Sequence, residues 1–147
     1  MTLCDRLTEF RFDENFPLGN GAPVALTDAT LATTFILVDD PEDLVWLNAT
    51  VDWFANLSPL QVINIVFNLE RNGTLITGTQ QSVSNPTGVA ATVNNVARLQ
   101  FIDAPLLGQE NPPVTPVVYT LIASFNTAAF TTGPITLSAA EIEGQNL

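Results

Sequence analysis

The sequence predicts an all-β protein built as one antiparallel β-sandwich. Three observations predict it. The strong apolar segments alternate with a period of two, the half-buried strand pattern. Proline, glycine and asparagine punctuate the gaps between them. No stretch holds a helical period over a useful length, and six or seven strands without helices read as a sandwich.

The elements follow in chain order. Residues 30–38, "TLATTFILV", are rich in β-branched and aromatic side chains. In 44–55, Val45, Leu47, Ala49, Val51 and Trp53 share one face, and Asn48, Thr50 and Asp52 the other. Residues 60–70 repeat the pattern, with Ile63, Ile65, Phe67 and Leu69 inward. Asn72-Gly73 then leads into "TLITGTQQSVS" and signals a type I′ hairpin, because both central positions need positive φ. Residues 96–103 set Ala97, Leu99 and Phe101 against Arg98 and Gln100. "NPPVTP", 111–116, is a stiff connector expected to lie outside any sheet. Residues 117–125 put Val117, Tyr119, Leu121, Ala123 and Phe125 on one face, and 133–143 form the last strand.

The first 23 residues stand apart. They hold Phe10, Phe12 and Phe16 and run into Gly19-Asn20-Gly21. Two readings are open: an edge strand of the same domain, or an arm that adds a strand to a neighbouring subunit. The expected division is an arm or connector over 1–23 and a sandwich domain over 24–147.

Composition limits the chemistry. The chain has 147 residues, enough for one domain with a buried core. It is 46% hydrophobic and 13% charged, which excludes disorder. Fifteen acids stand against four arginines, and a net charge of −11 opposes nucleic acid and anionic membranes as partners. Histidine and lysine are absent. That removes a Ser-His-Asp triad, histidine metal sites, Schiff bases and P-loop chemistry. No catalytic residue, metal ligand or cofactor is expected. The N-terminus lacks a secretory core, and no run approaches a membrane span, so synthesis in the cytosol is expected.

Four features invite a sharper reading. Asp39, Asp40, Glu42 and Asp43 surround Pro41 and offer hard oxygens to Ca²⁺. Their spacing is not that of an EF-hand, and the plain reading is a solvated turn before a core strand. Trp53 falls on the core face, whereas Trp46 faces the other way with Leu44 and Phe54. Trp46 thus reads as a core-end residue, a subunit contact or a carbohydrate platform. Three glycosylation sequons, at Asn48, Asn56 and Asn72, read as strand and turn residues. Cys4, the single cysteine, is either a plain thiol or an inter-subunit disulfide. The outward faces are rich in Asn, Thr, Ser and Gln, and lysine, the usual guard of strand edges, is missing.

At Trp46–Thr50, Phe67–Gly73, Tyr119–Leu121 and Gly133–Ala139 the chain resembles the exosporium and spore-surface jelly-roll proteins of endospore-forming Firmicutes. The likeness spans about residues 30–143. It implies a tumour-necrosis-factor/C1q-like jelly roll, commonly trimeric, and a relation to subunits of spore-surface fibres. It also implies a structural role in the outermost spore layer, with the chain itself and other spore-surface proteins as partners. The N-terminal segment lies outside the likeness. Cys4, Phe10, Phe12, Phe16 and Trp46 are the expected inter-subunit contacts. A carbohydrate- or Ca²⁺-binding jelly roll is the alternative.

Overall fold

The computed structural model describes residues 6–15, 24–26, 29–124, 129–131 and 133–143. Ten strand segments fill eight strand positions, and there is no helix among the described residues. In the first sheet, β1 (Arg6–Asn15) pairs with β10 (Ile135–Glu143), β10 with β4 (Leu44–Leu57), and β4 with β7 (Ala91–Asp103). Two short segments, β9 (Ala129–Thr131) and β2 (Val24–Ala25), continue the β10 and β1 positions along the same side of the long β4. The second sheet runs β3 (Ala29–Val38), β8 (Thr115–Ala123), β5 (Val62–Arg71), β6 (Thr74–Ser84). All pairs are antiparallel.

Counted as eight positions in chain order, the sheets read 1-8-3-6 and 2-7-4-5, the order of a jelly roll. Only β5 and β6 are joined within a sheet. Every other connection between positions crosses from one sheet to the other, which is why turn residues recur so regularly. In the β5–β6 hairpin Asn72 and Gly73 both take positive φ, 49° and 83°, as the Asn-Gly step requires.

The alternation read from the sequence sets the core. Val45, Leu47, Ala49, Val51 and Trp53 of β4 are buried and face Ile63, Ile65, Phe67 and Leu69 of β5 across the sandwich. Val117, Tyr119, Leu121 and Ala123 of β8 join them, and the Trp53 and Phe67 rings lie 6.2 Å apart across the two sheets. Phe125 lies outside the described residues.

Three expectations are corrected. First, the boundary at residue 23 does not separate an arm from a domain. β1 occupies the first strand position, paired with β10 from Arg6↔Glu143 to Asn15↔Ile135, and β2 lies in the same sheet. Second, Pro116 sits inside β8, opposite Leu37 of β3. The ladder to β5 begins only at Tyr119↔Arg71, so the proline lies beyond that ladder, where a missing N–H costs nothing. Third, β7 begins at Ala91, five residues before the expected strand.

Candidate assembly surfaces

The outward face of the first sheet carries three large exposed apolar side chains in one row. Register places Phe10 of β1 beside Ala140 of β10, Ala140 beside Trp46 of β4, and Trp46 beside Ile102 of β7. Phe10, Trp46 and Ile102 are 58%, 46% and 60% exposed, whereas the small Ala140 between them is covered. The next row is Phe12, Ser138, Asn48 and Gln100, and the third is Glu14, Thr136, Thr50 and Arg98. A shallow depression of about 640 Å³ lies over Asn48, Thr50, Arg98 and Gln100. Of the five residues expected at subunit contacts, Phe10, Phe12 and Trp46 thus share one face. Cys4 and Phe16 lie outside the described residues.

Strand β1 is inside-out compared with its neighbours. Its phenylalanines point to solvent, and Glu9, Arg11 and Asp13 point toward β3, the free edge of the other sheet. There the Asp13 carboxylate accepts the Thr33 backbone N–H at 2.9 Å, and Glu9 accepts that of Leu37 at 2.9 Å. Arg11 donates to Glu9 at 2.7 Å and its guanidinium stacks 5.0 Å from the Phe35 ring centre. Carboxylates therefore take the place of a strand along that seam and satisfy donors that β3 would otherwise present. Alternation alone marks β1 as a strand, but period two does not say which face is wet.

The opposite seam is built differently. The Trp53 indole N–H donates to Gln81 at 2.8 Å, and the Gln81 amide donates to the Val96 carbonyl at 3.0 Å, which ties β6 to β7. β6 is eleven residues long, holds no charge and no proline, and pairs with β5 alone among the described residues. Its outward residues are Gly78, Gln80, Ser82 and Ser84.

The acidic turn is not uniformly solvated. Asp39 and Glu42 are exposed, and the Asp40 carboxylate accepts the Glu42 backbone N–H at 2.8 Å to shape the turn. Asp43, by contrast, is 2% exposed and lies with Asp39 and Glu141 of β10 so that their carboxylate oxygens fall within 4.8 Å of one another. Asp43 and Glu141 both have interaction partners. Glu141 was missed because it is distant in sequence and reaches the turn only through the β10–β4 ladder. With one ligand oxygen from each, the three carboxylates supply half or less of the six to eight oxygens Ca²⁺ takes, so no metal requirement is expected. Melting temperature should be the same with millimolar Ca²⁺ as with chelator. A chelator-induced drop that disappears in Asp39→Asn/Glu141→Gln would assign a metal instead. Amide replacement of Asp39 and Glu42 should leave stability within about 0.5 kcal/mol.

One polar strut crosses the sandwich. Asp103, at the end of β7, accepts from Arg71 of β5 at 2.5 Å and from the Tyr119 hydroxyl of β8 at 2.8 Å. Burial, and then the Asp103 charge, hold the Tyr119 hydroxyl well above the ordinary tyrosine range, with Arg71 pulling weakly the other way. The strut ties the two sheets together through side chains of β5, β7 and β8.

Comparison with known proteins yields little beyond this geometry. No family model and no curated protein matches the chain. Among solved structures, the chain is similar to dimeric latent PorU from Porphyromonas gingivalis at 13% identity and a TM-score of 0.43. That alignment covers 96% of this chain and 13% of the PorU chain, so the present chain spans only a small part of that protein's length.

Proposed function

We propose that this chain is a non-catalytic, self-assembling structural protein of the bacterial spore surface, forming oligomers or fibres of itself through its strand edges. The observation that carries the reading is β6. An eleven-residue edge strand with no charge, no lysine and no proline is a template for pairing with another chain. The other free edge of that sheet is sealed by Glu9 and Asp13, so addition is directed to one side. The setting at the spore surface, and other spore-surface proteins as further partners, rest on the resemblance at Trp46–Thr50, Phe67–Gly73 and Gly133–Ala139. Edge contacts, rather than a departed arm, are the route, since β1 serves its own sheet.

Light scattering after size exclusion, with negative-stain microscopy, tests this. The wild-type chain should form species larger than a dimer. Gln80→Lys/Ser84→Lys puts charge on outward positions of β6 without touching the core, and should weaken assembly at least tenfold. Because each chain carries a charge of −11, assembly should strengthen with salt. Unchanged assembly of the lysine variant would remove β6 from the reading.

A further inference from the structure

We infer that the outward face of the β1-β10-β4-β7 sheet is a second, independent interface, and that its occupant is the same face of another copy related by a two-fold axis parallel to the strands. The register itself carries this. Such an axis, running between β10 and β4, lays β1 of one copy over β7 of the other and β10 over β4, keeping each row in place. In the apolar row, Trp46 then meets the covered Ala140 of the second copy, large against small, and Phe10 meets Ile102. In the third row Glu14 meets Arg98, twice by symmetry, and Thr136 meets Thr50. The pairing is thus complementary in size in one row and in charge in another, as an isologous contact requires.

The charge match has weight because the molecule as a whole repels its copies. Fifteen acids and four arginines leave few cations to place, and one of the four, Arg98, stands opposite Glu14 of the second copy. Sheets packed face to face lie about 10 Å apart, within reach of a glutamate and an arginine from opposite sides. Four strands at about 4.8 Å spacing, over the eight residues of β4 that pair with β10, cover roughly 500 Å² per copy, or about 1,000 Å² in total, the lower bound for a specific interface. A flat face of this kind also suits a neutral oligosaccharide, with Trp46 as platform beside the Asn48 and Gln100 amides. Size and charge complementarity across the two-fold favour the second copy.

The test uses the full chain carrying Gln80→Lys/Ser84→Lys, so that loss of edge assembly does not obscure the face. Light scattering should give a dimer that dissociates on dilution. Glu14→Arg and Arg98→Glu should each weaken it at least tenfold, and the two together should restore it to within about threefold. Trp46→Ala, on a different strand, should also give monomers and serves as the second probe where Glu14→Arg does not fold. A monomer up to about millimolar concentration, a double swap that does not rescue, or an undiminished Trp46→Ala dimer each overturns the inference. Quenching of Trp46 fluorescence by cellohexaose in a monomeric chain overturns it in favour of a glycan platform.

Discussion

Phe67→Ala is expected to remove about 3–5 kcal/mol of folding stability, roughly a fifth or more of the ~5–15 kcal/mol that domains typically have. Phe67 is fully buried in β5, with β6 on one side and β8 on the other. Its register neighbours are Thr79 and Ala123, both small, so neither fills the space the ring leaves. Trp53 approaches from the opposite sheet, but it is held by its hydrogen bond to Gln81 and is not free to follow. The cavity should therefore stay largely open, which places the cost toward the upper end. Urea unfolding followed by tryptophan fluorescence measures it. A loss below about 1 kcal/mol would mean that β5 turns its other face inward.

The second large effect belongs to Asp103. Asp103→Ala should cost about 3 kcal/mol, because it strands the buried Tyr119 hydroxyl and leaves Arg71 without its counter-ion. Arg71 is partly exposed, so water takes up some of its share and the cost stays at the low end. Tyr119→Phe alone should cost about 1–2 kcal/mol, and the two changes together less than their sum, since both break one contact. The pH dependence has a definite sign. Tyr119 is raised in the folded state, so its contribution is complete below about pH 10, where an unfolded tyrosine titrates, and is lost as pH rises beyond it. Tyr119 is also the only tyrosine in the chain, so tyrosinate absorbance reports this one group. Absorbance should appear only together with loss of the circular dichroism signal. A reversible rise centred near pH 10 in a chain that stays folded would contradict the buried strut.

The sequence made the core legible wherever alternation separates apolar from polar residues cleanly. β4 and β5 are the clearest cases: each inward residue named from parity is buried. The Asn72-Gly73 turn was legible because its backbone geometry admits few other residues. What was not legible depends on partners distant in the chain. β1 alternates as cleanly as β4, yet its wet side is the aromatic one, because the face toward β3 needs acceptors rather than apolar bulk. Asp43 reads as one of four solvated acids until β10 brings Glu141 beside it. The row from Phe10 to Ile102 uses four strands from across the chain, and parity identified Trp46 as outward without revealing its neighbours. Pro116 looks incompatible with a strand only if both sides of that strand are paired at that point.

The pairing of β1 with β10 also sets a schedule. Among the described strands, the earliest in chain order has as its partner the latest, with Arg6 opposite Glu143. Until β10 has emerged, β1 has no ladder, and the apolar face of β4 lacks a neighbour along one side. Folds dominated by such distant pairings close slowly, on the millisecond-to-second scale. The β5–β6 hairpin is local and can form as soon as it is made, so the edge proposed to recruit other copies exists before the sandwich behind it is complete. Nascent chains crowded on one message therefore face a race between closing on themselves and joining each other, and the rate of translation from the end of β7 through β10 becomes a determinant of which outcome wins.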